Sequence, residues 1–147
     1  MSIRNLAHIK KFFSHGDNPE EKRELYKEML LMTIARATRA DLVTDDTEVA
    51  IVQSVWLDVI GEEVSAKDVR IAASSELYET APIDKYLARV GSQIKTSERQ
   101  SIVKALIAVF EADGMVTASE VDFFNMVVDA LKLTPAQTVG LMVRDAT

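Results

Sequence analysis

The stretch Ala112-Asp113-Gly114-Met115-Val116-Thr117-Ala118-Ser119-Glu120-Val121 decides how this chain folds. Before it, Ile102, Val103, Leu106, Ile107, Val109 and Phe110 recur at helical spacing and stop at Asp113-Gly114. After it, Val121, Phe124, Val127, Val128 and Leu131 begin a second helical run. Gly114 has no Cβ, so it enters the left-handed conformation that ends a helix without steric cost. Thr117 and Glu120 stand three apart, the spacing at which each side chain satisfies a free N–H at the start of the next helix. The segment reads as helix, short acidic turn, helix.

The chain carries this unit twice. Shifted by 72 positions without a gap, Ala40, Asp41, Glu48, Val49 and Val55 fall on Ala112, Asp113, Glu120, Val121 and Val127. The apolar register follows: Leu30, Leu31 and Ile34 fall on Ile102, Val103 and Leu106, and Ile51 and Val52 on Phe123 and Phe124. Identity at five positions alone is weak. Kept together with the apolar register and with an Asp and a Glu seven apart in both copies, it favours duplication. The first repeat spans 25–60 and the second 97–132.

The 147 residues suit one domain with a sizeable core. With 48% apolar and 27% charged residues, the composition is that of a soluble globular protein. No apolar run approaches the roughly 18–20 residues that span a bilayer. Met1–Gly16 has no continuous apolar core or small-residue cleavage site, so a signal peptide is not expected. Without cysteine, disulfides, thiolate zinc sites and a cysteine nucleophile are excluded, which fits a cytoplasmic protein.

A net charge of −6 argues against nucleic acid as a partner. The acids are also concentrated. Residues 40–66 and 105–131, which contain the two acidic turns, include no Lys or Arg, whereas residues 1–16 carry Arg4, Lys10 and Lys11 and no acid.

Taken in order, Ile3–Phe13 forms a short basic amphipathic helix, suited to docking on the core or to meeting a partner or membrane surface. Asn18-Pro19-Glu20-Glu21 starts a helix that runs to about Ala40. It is too apolar for the surface, with Met29 and Met32 filling the core. A third helix opens at Asp45–Glu48, carries Val49, Val52 and Trp56, and closes at Gly61. Ser65–Asp68 starts another, through Val69, Ala72, Ala73, Leu77 and Tyr78. Pro82 starts a shorter one through Tyr86 and Leu87. Thr96 or Ser97 caps the helix that enters the organising stretch, and Thr134–Gln137 caps the last, which holds Val139, Leu141 and Met142. No segment alternates with period two. The expectation is an all-α single domain of seven to eight helices, built from two pseudo-repeats of a helix–acidic turn–helix unit.

Enzyme templates do not fit. The five glycines stand far apart, which rules out a Gly-rich phosphate loop, and no Gly-x-Ser-x-Gly elbow occurs. His8 and His15, seven apart, make a poor metal site by themselves. No catalytic residue and no organic cofactor are expected.

The duplicated acids offer the one chemical constellation. Glu48 and Glu120 occupy capping positions and are explained by capping alone. Asp41 and Asp113 are not, because an acid at a helix C-terminus faces the negative end of the helix dipole. Asp41, Asp45 and Glu48 in the first turn, and Asp113 and Glu120 in the second, supply the hard oxygens that a divalent cation wants, calcium being the best suited. The Asp-x-Asp-x-Asp-Gly ladder of an EF-hand is missing. Two functions remain open: a cation-binding domain whose ion tunes contact with a protein or membrane partner, and a purely structural interaction module whose acidic face attracts a basic partner.

The stretch Phe110–Glu120 resembles the TerB family of bacterial tellurite-resistance proteins, a domain also found at the start of membrane-anchored DjlA-type DnaJ co-chaperones. The shared pattern is an apolar helix ending in Ala-Asp-Gly, a short turn, and a Glu that opens the next helix; the likeness extends over about Leu25 to Met142. It implies an all-helical fold of two pseudo-repeats, an acidic surface, divalent-cation binding and a place in stress-response complexes at the inner face of the membrane. Asp113 and Glu120 match the motif directly, and Asp41 and Glu48 match through the internal repeat. Leu42 stands where the motif has its glycine, and Thr117-Ala118 lacks an acid that some members carry. A cytoplasmic location, peripheral to the inner membrane, follows from the same likeness. Neither the ion, the partner nor the oligomeric state follows from it.

Overall fold

A computed structural model describes residues 19–37, 46–74, 82–114 and 116–138, and of Asp113 the backbone alone. Every regular element among them is helical: α1 (Pro19–Ala37), α2 (Asp46–Ile60), α3 (Ala66–Ala73), α4 (Ile83–Val90) with a 3₁₀ turn at Gly91–Gln93, α5 (Thr96–Asp113) and α6 (Ala118–Ala130). A further turn of helix follows at 135–138. The protein is all-α.

The core is built around α1. Pro19 opens it, where a missing N–H costs nothing, and Glu20 and Glu21 sit at its positive end. From Met29 to Ala35 the helix is apolar on nearly every side, and such a stretch must be enclosed. Leu25, Met29, Leu30, Leu31, Met32 and Ile34 are all fully buried. The other elements surround it: α2, α3, α5 and α6 pack on α1, α5 also packs on α2 and α6, and α4 packs on α6. Tyr26 Oη and Ser101 Oγ, 2.8 Å apart, tie α1 to α5. The two methionines fill core space, as expected.

Helix ends follow local chemistry. Gly61, at φ +84°, ends α2. Ser65 Oγ accepts from the Asp68 N–H at 3.0 Å and opens α3. At the last turn Gln137 Oε1 accepts from the Thr134 N–H (2.7 Å), while Thr134 Oγ1 accepts from the Gln137 N–H (3.3 Å).

Two boundaries depart from expectation: α3 ends at Ala73, with Ser74 at its C-cap, short of Leu77 and Tyr78, and α5 starts earlier than its expected cap. Neither Thr96 nor Ser97 caps α5: the helix already includes Thr96, and Lys95 holds the cap position. Glu98 Oε1 accepts the Lys95 N–H at 2.9 Å. The Thr96 hydroxyl is instead engaged by Arg99 Nη2 at 2.8 Å, while Arg99 Nη1 donates to the Leu131 carbonyl at 2.8 Å. Arg99 thus joins the Thr96 hydroxyl, three residues back in the same helix, to the end of α6.

The helix expected over Ile3–Phe13, with His8 and His15, lies outside the described residues. So do Leu77, Tyr78, Val139, Leu141 and Met142. Among the described residues, no helix is long and apolar enough to cross a membrane. The helices α2 and α6 begin 72 positions apart, at Asp46 and Ala118.

Candidate functional site

The turn between α5 and α6 is built as its residue types require. Asp113 is the last residue of α5, and Gly114 follows at φ +83°, its N–H bonded to the Glu111 carbonyl at 3.1 Å. A Cβ placed on Gly114 would meet nothing within 4 Å. The glycine is therefore needed for its backbone conformation and not for space. Thr117 then opens α6 with a reciprocal cap: Glu120 Oε1 accepts from the Thr117 N–H at 2.8 Å, and Thr117 Oγ1 accepts from the Glu120 N–H at 3.2 Å.

This geometry bears on each expected site residue. Glu120 is half-buried and works as a capping residue. A carboxylate has about four lone-pair sites, so one bond to Oε1 leaves Oε2 and further acceptor capacity for a cation. Glu48 stands half-buried in the first turn of α2. Asp41 and Asp45 lie outside the described residues, as does the side chain of Asp113. Among the described residues, no group of three or more His, Cys, Asp or Glu side chains is placed to hold a metal ion.

The surroundings of the turn are unusual in another way. The large apolar residues left exposed among the described residues are Leu57, Val116 and Val121. Two of these three flank the Thr117–Glu120 cap, beside exposed Glu111 and Asp122.

Among the described residues, open clefts also occur away from this turn. One, between the start of α1 and the start of α5, is lined by Lys22, Arg23, Gln93, Lys95 and Glu98. Another, between α2 and α5, presents Val55, Val59, Ala105 and Ala108 between Asp58 and Lys104. Each lining also includes a serine: Ser92 in the first and Ser101, hydrogen-bonded to Tyr26, in the second.

The residue that pattern reading passed over is Glu28. It is 1% exposed, and neither carboxylate oxygen has a hydrogen-bond partner. Burial raises its carboxyl to about 8, and the negative charges of Glu24 and Asp68 push the same way, against Lys27. Lys27, itself buried, turns elsewhere: its Nζ lies 2.8 Å from Glu62 and 3.4 Å from Glu24. The hydrogen bond from Lys27, and then its charge, hold the exposed Glu62 carboxyl below its usual range. A signal did exist. Glu28 is spaced three from Leu25 and Leu31 and four from Met32, which puts an acid on the apolar stripe itself.

Residues 27–142 match the family model described as tellurite resistance protein TerB. The chain belongs to the TerB family. The match takes in most of α1 and all of α2 to α6. No characterised protein and no solved structure matches the chain. This TerB domain is accordingly a tellurite-resistance-type domain.

The cap can be tested by itself in this TerB domain. Thr117→Ala removes the acceptor for the Glu120 N–H, and the expected loss of stability is about 1 kcal/mol. Glu120→Ala is expected to cost a similar amount, and the double variant less than the sum, because both act on one cap. Urea denaturation of the four proteins measures this; fully additive losses would show that the two side chains act separately.

Proposed function

We propose that the protein is a non-enzymatic TerB domain that meets a protein partner through its acidic turns, within a tellurite-resistance-type stress-response complex. A divalent cation at those turns, held by Asp113 and Glu120 in one and by Asp41, Asp45 and Glu48 in the other, would tune that contact. Calcium suits such a set best, because it accepts several carboxylate and carbonyl oxygens in flexible geometry. The observation that carries the reading is the exposure of Val116 and Val121 on either side of the Glu120 cap. Family membership supports it, as does the spare acceptor capacity of Glu120. A complex at the inner face of the membrane, with the domain peripheral to it, is the setting that the family suggests.

The cation part is tested by an amide NMR titration of the metal-free protein with calcium, magnesium, zinc and manganese. Saturable shifts centred on residues 41–48 and 113–120 are expected, and they should vanish in the Asp41→Ala, Asp113→Ala double variant. Flat spectra at millimolar ion, or unchanged affinity in that variant, would leave the acids as caps and solvated charge. The acidic interaction module without a metal would then stand: partner capture would weaken with salt and ignore calcium.

A further inference from the structure

Between α2 and α5 the described surface sinks into an open groove of about 400 Å³. Its cause is local. Ala105 and Ala108 stand three apart on one face of α5 and present only methyl groups, so the two packed helices leave a hollow where larger side chains would have met. Val55 and Val59 line it from α2, and each helix adds a charge, Asp58 from α2 and Lys104 from α5. Val59 and Ala108 are only half-buried. Apolar walls of this kind gain free energy when another apolar surface covers them.

The sequence supplies an occupant of matching character. Residues 3–13, outside the described part of the chain, carry Ile3, Leu6, Ile9 and Phe13 near one side at helical spacing. Lys10, four after Leu6 and three before Phe13, borders that stripe, and residues 1–16 hold no acid. The groove has the complementary setting: residues 46–66 contain no Lys or Arg, and Asp58, Glu62 and Glu63 are exposed at and just beyond the end of α2. The tether reaches. Ser101, in the lining of the groove, is hydrogen-bonded to Tyr26 of α1. Tyr26 follows Pro19 by seven residues, about 10 Å of helix, and packed helices lie about 8–10 Å apart, so the path from Pro19 to the groove is about 15 Å. The chain from Phe13 to Pro19 spans up to about 20 Å.

We propose that residues 3–13 dock as an amphipathic helix in the groove between α2 and α5 of their own chain. The tether enters beside Ser101, which sets Phe13 near Ala105, Ile9 near Ala108, and Lys10 toward Asp58 and away from Lys104. The basic stretch then completes the core and is not an arm held out to a membrane. This docking is independent of any cation at the acidic turns.

The test uses a nitroxide spin label on the full chain, in which an introduced cysteine is unique because the sequence has none. Lys11→Cys carries the label, since Lys11 is two residues from both Ile9 and Phe13 and so lies on the opposite side of the helix. The amide NMR signals of residues 55–59 and 104–108 are expected to lose most of their intensity, while those of residues 84–90 in α4 keep theirs. Adding Leu6→Asp and Phe13→Asp should restore the lost signals. Lys10→Glu should weaken the broadening, and Asp58→Lys in the same chain should bring it back. Undiminished signals at 55–59 and 104–108 in the labelled chain would overturn the proposal; sedimentation with phosphatidylserine vesicles would then assign the segment to a membrane surface. Broadening passed to unlabelled chains in a mixture would also overturn it, with a second copy as the occupant.

Discussion

Trp56→Ala is expected to destabilise the protein by about 3–5 kcal/mol, the range for deleting a large aromatic from a closed core. Trp56 is 1% exposed in α2, a helix that packs on α1, α3 and α5 together, so no single neighbour can move to fill the space. In a chain of this size the loss corresponds to a fall in Tm of about 6–20 °C. Trp56→Phe should cost much less. It keeps most of the apolar volume and removes an indole Nε1 that is buried without a hydrogen-bond partner. As Trp56 is the only tryptophan, its fluorescence disappears with it, and circular dichroism during urea denaturation is the proper readout. A loss below about 1 kcal/mol for the alanine variant would mean that the core around α2 collapses onto the space, against the close packing described above.

The second large effect depends on pH. Glu28 has a carboxyl raised to about 8 in the folded protein, against an unfolded value of 4.5. Below the lower value both states are protonated, and the stability linked to this group is present in full. As the pH rises the unfolded chain ionises first, so stability drains away until the folded carboxyl also ionises near pH 8. The loss reaches about 3 kcal/mol by pH 7, at 1.36 kcal/mol for each unit. Glu28→Gln removes this slope. The variant should match the parent within about 1 kcal/mol at pH 5, apart from any cost of the new amide, and exceed it by a few kcal/mol at pH 8. Denaturant midpoints at pH 5, 6.5 and 8 for both proteins decide it: parallel pH profiles would show that Glu28 reaches water or a partner in the native state.

These two residues also show where pattern reading succeeds and where it stops. Trp56 was legible because Val49, Val52 and Trp56 recur at helical spacing, and burial follows from periodicity. Glu28 was not, because periodicity sorts residues by which face they share and does not say how completely that face is covered. An acid on an apolar stripe can end at its edge in water or in the interior. Only the packing of α2, α3, α5 and α6 around α1 decides that Glu28 is enclosed.

The same division runs through the candidate site. The Thr117–Glu120 cap and the left-handed Gly114 are local: each needs only neighbouring backbone, so spacing and residue type sufficed to place them. The cap of α5 is local too, but it starts one residue earlier, at Lys95 with Glu98, while the Thr96 hydroxyl accepts from an Arg99 that also reaches Leu131. The exposure of Val116 and Val121 likewise depends on which neighbours pass over them, and no rule of spacing supplies that.

By itself the sequence determined the helical class, the central place of α1, the helix–acidic turn–helix unit and the resemblance to the TerB family. Each rests on period, on turn chemistry or on a short motif, all of which act over a few residues. Tertiary structure alone decided that Glu28 is buried without a partner, that Lys27 is spent on Glu62 and Glu24, and that valines stand uncovered beside the second acidic turn. Burial and charge pairing join residues distant in the chain, and their energies depend on what is excluded from the space between them.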